Sequence, residues 1–262
     1  RLSLVGSEMC IRDRRVAMRM SKVDPAAAEQ WVKTAVANGV FESDADNCML
    51  MHAGGLTTND SSEPYAKIYS HEDRGNFFLT EYFVDLLKST NDPRLSLIGT
   101  VCEDPTISVQ AGSDFQYGDS APAVQKGLPS GFSDSPDSPW FVGNKYPEFK
   151  DEDYRSTYRS RYSTINRYTY SDPTGPTFVC TYAQTQLLLA EAAVRGWVDG
   201  SAQTYYENGV RAAMRQFAQF PNGTALYNQY LTQAAIDRYL TENPFNASKA
   251  LEPVSYTHLT LP

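Results

Sequence analysis

Between Tyr182 and Phe220, apolar residues recur at steps of three and four in two stretches separated by the turn residues Asp199-Gly200-Ser201. In the first stretch Tyr182, Gln186, Leu189, Ala190, Ala193, Val194 and Trp197 fall on one helical face. In the second, Ala202, Tyr206, Val210, Ala213, Phe217 and Phe220 form a stripe of the same period. Two helices joined by so short a turn must pack antiparallel. Ala190, Ala193, Ala202 and Gly209 let the backbones approach closely, with Trp197 and Tyr206 filling the space beside them.

Bulk properties exclude several classes of function. The formal charge of −8 makes the chain a poor ligand for nucleic acid or for an anionic membrane surface. No run of eighteen apolar residues is present, so nothing in the sequence reads as a membrane-spanning helix. Cys48, Cys102 and Cys180 are widely spaced, with no C-x-x-C pair and no histidine cluster nearby, which argues against zinc and redox motifs. Buried thiols are expected; a single disulfide is compatible with an oxidising compartment, but the spacing does not say which pair forms it. No cofactor and no metal site are expected.

The two ends read differently from the middle. Met9 to Arg14 back-translates as ATG TGT ATA AGA GAC AG, whose reverse complement contains GTC TCT TAT ACA CAT. Those codons encode Val-Ser-Tyr-Thr-His, the residues at Val254 to His258. Tails encodable as inverted copies of one oligonucleotide resemble a translated sequencing adapter. Residues 1–14 are therefore expected to be an adapter-derived or unassigned tail and 254–262 an adapter-derived tail. They flank one domain over 15–253 that is cut at both ends. A signal sequence and lipidated cysteine would lie upstream of Arg15.

Along the middle, 15–22 reads as the end of a helix. Asp24-Pro25 caps another, which runs to Ala37, stops at Asn38-Gly39 and turns Trp31, Val32, Ala35 and Val36 to its core. Asp44, Asp46 and Asn47 alternate as calcium ligands would, but the glycine and distal glutamate of an EF-hand are missing, so turn and cap chemistry is expected. Met49-Leu50-Met51 reads as a short buried segment beside a half-buried His52, and Phe77 to Lys88 as a helix burying Leu79, Phe83, Leu86 and Leu87. It ends before Asn91-Asp92-Pro93-Arg94-Leu95, where Arg94 can pair with Asp92 or with helix carbonyls. The polar cluster His71-Glu72-Asp73 reads as a solvated loop. Further helix is expected over Ala225–Tyr230 and Gln233–Leu240, and another is expected to start at Asn246 or Ser248.

Residues 103–176 break the helical pattern with eight prolines and frequent glycines and read as an irregular insertion. Aromatic side chains gather there among Arg, Asn and Asp. A sugar ring offers C–H faces to an aromatic plane and hydroxyls to polar neighbours, so this is where ligand contact is expected. The candidate binding residues are Trp140, Tyr146, Tyr154, Tyr158, Tyr168 and Arg159. For any one tyrosine, packing against the helices with a wet hydroxyl is the competing reading.

Ala190-Glu191-Ala192-Ala193-Val194-Arg195-Gly196-Trp197 and Tyr205 to Met214 (YYENGVRAAM) resemble the SusD/RagB family, as do Arg15 to Pro25 with Asp44 to Asn47, and Asp92-Pro93-Arg94-Leu95. Gly127-Leu128-Pro129-Ser130-Gly131 is similar to a glycine-proline turn of such chains. The resemblance implies a mainly α fold of tetratricopeptide-like helical hairpins with a long, irregular, loop-rich insertion. It further implies a lipid-anchored protein on the cell-surface face of the bacterial outer membrane in Bacteroidetes, capping a SusC-like TonB-dependent transporter and passing it an oligosaccharide or peptide. Binding rather than bond chemistry would be its work. The family varies where it touches ligand, so no binding residue carries over by motif. Two alternatives stand beside it: a helical glycoside hydrolase, which needs paired carboxylates across a groove, and a tetratricopeptide-type interaction scaffold, which needs several hairpins at a regular period.

Overall fold

A computed structural model describes residues 16–54, 77–101, 118–133, 135–150 and 161–246. Both tails, His71 to Asp73, Cys102 and the helix expected at Ser248 lie outside the described residues. The helices are α1 (Pro25–Ala37), α2 (Glu81–Ser89), α3 (Leu95–Ile98), α4 (Tyr182–Val194), α5 (Ala202–Arg215), α6 (Thr224–Tyr230) and α7 (Gln233–Glu242). Four short strands, β1 (Cys48–Met51), β2 (Gly99–Thr100), β3 (Thr164–Ile165) and β4 (Pro176–Cys180), pair antiparallel as β1 with β4 and β2 with β3. The fold is mainly α, as the sequence predicts. The chain divides into two compact units: Arg1–Met51, Pro176–Gln216 and Asn243–Pro262 form the first, His52–Gly175 and Phe217–Glu242 the second.

In the first unit α4 and α5 form the expected hairpin. Thr181 caps α4 by accepting the Gln184 N–H at 3.1 Å, and Ser201 caps α5 through the Thr204 N–H at 3.3 Å. Gly196 and Gly200 take φ of +73° and +108°, the left-handed backbone that closes one helix and turns into the next. Tyr206, Val210 and Ala213 are buried along α5 as the stripe requires. The expected α4 stripe is only part of what α4 buries: Gln186, Leu189, Ala190 and, just past its end, Trp197 are buried as expected, but burial extends beyond them. Val194 is 39% exposed, whereas Leu187, Leu188 and Ala192 are buried. The physical reason is that α4 is covered on two sides, so its burial follows no single face. Leu188 and Ala192 pack with Ala28, Val32 and Trp197, while Ala183 meets Ala212 and Ala213.

Asp24 accepts the Ala27 N–H at 3.0 Å to start α1, and Gly39 at φ +103° follows its end. Ala28, Val32 and Ala35 are its buried residues; Trp31, expected in the core, is 46% exposed because it lies one step off that face. The acidic turn is cap chemistry. Asp46 accepts the N–H groups of Glu42 and Ser43 at 2.8 and 2.9 Å, Asn47 accepts the Tyr182 N–H at 2.7 Å, and Asp44 takes Arg215 Nε at 2.6 Å. Met49-Leu50-Met51 is not a buried segment. It is an edge strand paired on one side with β4, and its Leu50 and Met51 side chains are exposed.

The second unit is built around the turn after α2. Thr80 caps α2 by accepting the Phe83 N–H at 3.3 Å, so the helix begins at Glu81 rather than Phe77. The four residues before it are extended instead, with Leu79 exchanging backbone hydrogen bonds with Ser163 and Leu128. Accordingly Val84 and Leu87, not Leu79 and Phe83, carry the buried face. Asn91 at φ +50° closes the helix, and the chain enters Asp92-Pro93-Arg94. There the two side chains are each 1% exposed and joined by Arg94 Nε and Nη2 donating to the Asp92 carboxylate at 2.9 and 2.5 Å. Burial works against the Arg94 charge, but the carboxylate beside it more than offsets this and holds its pKa above the ordinary value. The guanidinium also lies 6.0 Å from the centroid of the Tyr239 ring. From this corner α3 runs fully buried. Asn166 Nδ2 donates to Ser96 O and Ser120 Oγ, both at 3.2 Å, and Thr169 Oγ1 donates to Leu97 O at 2.5 Å. The 161–175 stretch of the insertion is therefore core as well as excursion.

Two measurements follow. Built on Gly209, a Cβ would lie 2.7 Å from Leu187 Cγ. Gly209→Ala should thus lower stability by about 1–3 kcal/mol through overpacking, despite the roughly 0.5–1 kcal/mol that alanine gains in a helix; denaturant unfolding reads the sign. Asp92→Ala should cost about 3–5 kcal/mol by stranding a buried cation, while Asp92→Ala with Arg94→Met should recover much of that loss.

Candidate functional site

The second unit carries an exposed aromatic group on a braced loop. Ser133 N–H donates to Trp140 O and Val142 N–H to Ser133 O, both at 2.8 Å, and Trp140 N–H donates to Ser138 Oγ at 3.2 Å. The backbone on either side of Trp140 is thereby held. Phe141, Val142, Phe149 and Tyr162 point inward and form a buried cluster against which Phe78, Leu128 and Tyr146 pack. Trp140, next to buried Phe141, is left 69% exposed. Trp140 thus presents a large aromatic face to solvent from a held backbone, which makes it a candidate contact for a ligand.

Phe132 and Tyr146 meet edge to face at 5.6 Å between ring centroids, and Phe132 is 37% exposed. Lys145 Nζ sits 5.6 Å from the Phe132 centroid and 5.1 Å from that of Tyr146. Tyr146 donates its hydroxyl to Glu81 Oε2 at 2.8 Å, which fixes the ring against the start of α2. Chemically the loop offers aromatic faces and an ammonium, with the Glu81 carboxylate brought to it from α2, a mixture that a polyhydroxylated ligand uses.

Of the six residues expected from sequence, Trp140 and Tyr146 share this loop. Tyr168 is 42% exposed on a different segment, where its N–H donates to Asn166 Oδ1 at 2.9 Å. Tyr154, Tyr158 and Arg159 lie outside the described residues. Phe132, Lys145 and Glu81 are the contributors that sequence reasoning missed. Phe132 follows the Gly131 turn and was legible as a loop aromatic; Glu81 is brought to Tyr146 only by the tertiary fold.

A cleft of about 750 Å³ opens elsewhere in the same unit, between the turn after α2 and helices α6 and α7. Lys88, Asn91, Ser96, Tyr230 and Arg238 are among the residues lining it. Lys88 Nζ donates to Gln125 O, and Asn91 Nδ2 to Glu242 Oε2 at 3.0 Å. Burial, then the Asp119 charge, pushes the Tyr230 phenol up from its ordinary pKa. The buried Ser96 hydroxyl has no protein partner. Among the described residues no three His, Cys, Asp or Glu side chains gather in a way that would hold a metal ion. No helix among them is long and apolar enough to cross a membrane.

Comparison with known families identifies the family of the chain. Residues 13–253 match the SusD-like family described as starch-binding, associating with the outer membrane, and the chain belongs to that family. Solved structures share its fold. A chitin-binding protein is 27% identical with a TM-score of 0.66, covering 96% of this chain and 47% of its own. A SusD-like protein from Bacteroidetes is 23% identical with a TM-score of 0.75, over 97% and 55%. A SusD homologue from Bacteroides fragilis is 22% identical with a TM-score of 0.68, over 98% and 52%. The chain spans about half the length of these structures. No curated protein matches it.

Proposed function

We propose that the protein captures glycan, or another oligomeric nutrient, at the surface of the bacterial outer membrane and does no bond chemistry on it. Uptake would then run through a SusC-like TonB-dependent transporter, with a lipid anchor upstream of Arg15 holding the protein to the membrane. The observation that carries the binding reading is Trp140: a large aromatic face held open to solvent by a hydrogen-bonded loop, beside Phe132, Tyr146 and Lys145. An indole on a held backbone stacks on a pyranose face at a low ordering cost, since only two side-chain torsions have to be fixed. Family membership and the likeness to a chitin-binding protein favour a polysaccharide over a small metabolite.

Two of the described carboxylates near the loop have partners in the protein. Glu81 receives the Tyr146 hydroxyl, and Glu148 lies 3.6 Å from Lys126 Nζ. Both are engaged in holding the loop together, whereas hydrolysis needs an acid and a base facing each other across a groove. Tyr154, Tyr158, Tyr168 and Arg159 are proposed as further ligand contacts.

A glycan array followed by titration of the best hit tests this. Trp140→Ala should weaken binding about tenfold or more, the loss expected when a large apolar contact is removed. Trp31→Ala, which removes an exposed tryptophan of the first unit, should leave affinity unchanged. Equal binding by both variants would refute the Trp140 site.

A further inference from the structure

Two cysteines face each other where the chain leaves the first unit and where it comes back. The chain passes out through β1 and returns through β4, and in that antiparallel ladder Cys48 is the partner of Cys180. Directly opposed residues point to the same face of a sheet with their Cα atoms about 4.5–5.5 Å apart. A disulfide spans Cα separations of about 4.4–6.8 Å, so the register satisfies its main geometric demand. The register shift between Cys48 and Met49 leaves Val179 without an opposite residue, and Val179 turns out to solvent. The cysteine pair itself stays in register.

Surroundings agree with the geometry. Cys180 is buried beside Phe41, with Cys48 and Tyr182 packed against the same small cluster. Cys48 is only half-buried, which gives one sulfur a route to an oxidant while the other is shielded. With no third metal-ligating side chain among the described residues nearby, a metal site does not compete for the pair.

We propose that Cys48 and Cys180 are oxidised to a disulfide, a staple across the base of the excursion that contains the aromatic loop. The Cys48 thiolate attacks a disulfide of an extracytoplasmic thiol oxidant, forming a mixed disulfide and releasing one oxidant thiolate. The Cys180 thiolate then displaces the second oxidant thiolate. One new S–S bond forms, the oxidant's S–S bond becomes two thiols, and the two protons leave Cys48 and Cys180 for the oxidant. The closed loop is about 130 residues long, in the range where a cross-link restrains the unfolded chain strongly. The proposal takes from the function above only exposure to an oxidising compartment; glycan binding is not required.

The test is made on protein exported to an oxidising compartment, with thiols alkylated before digestion without reductant. The expected result is a linked pair of peptides containing Cys48 and Cys180, an intact mass about 2 Da below that of the reduced protein, and a Tm about 10 °C higher before reduction than after. Cys48→Ser should remove the sensitivity of Tm to reductant. Alkylation of both cysteines as thiols in that protein, or a bridge from either to Cys102, would overturn the proposal. Should the variant not fold, the peptide map of the unaltered protein decides alone. A failure here would leave the Trp140 titration untouched, and the reverse holds as well.

Discussion

Asp92 and Arg94 meet inside the second unit with almost no exposure to water, and the arrangement of that unit depends on their being together. Taking either charge out of water alone would cost several kcal/mol. The pair is tolerable because the guanidinium donates twice to the carboxylate, and because the proline between them fixes the backbone that brings them face to face. Once that corner is set, α3 leaves it fully buried, and its carbonyls are the acceptors for Asn166 and Thr169. The Tyr170 phenol is held above its ordinary range, first by burial and only partly countered by Arg94. A stretch poor in regular structure is thereby folded against helices without a sheet or a long helix of its own.

How much of this was legible in the sequence depended on the range of the interaction. Caps and turns were legible because their chemistry is local: Asp24 before Pro25, Ser201 before α5, Asp92 beside Arg94. The α5 stripe was legible because that helix buries one face. On α4 the stripe was legible only in part: Leu189 and Ala190 are buried as read, but Leu188 and Leu187 are buried as well by different neighbours, and a two-sided helix has no single period to read. Phe77 to Thr80 carried a helical spacing but became extended, because their backbone groups found Ser163 and Leu128 across the fold. Met49 to Met51 looked like core on composition alone, yet strand pairing spent their backbone and left two side chains outside.

For the candidate site, aromatic composition pointed to residues 103–176, and Trp140 and Tyr146 of the braced loop are two of the residues it named. It did not say which aromatics turn inward: Tyr162 is buried and Trp140 exposed, according to which way a short irregular segment turns. That turning is decided by the Phe141 and Phe149 cluster, whose burial leaves the adjacent Trp140 in solvent. Packing of the scaffold thus offsets the cost of leaving the Trp140 ring in solvent. The same logic places Trp197 and Tyr206 as scaffold, since both are buried in the first unit.

Capture without chemistry is the claim on which the functional account turns. The most direct measurement mixes the intact protein with the glycan it binds and follows both saturation and the length of the sugar chains by mass spectrometry. Saturable binding with chain lengths unchanged over many hours is the predicted result. Shortened chains, with the shortening abolished by a single Asp or Glu substitution, would contradict it.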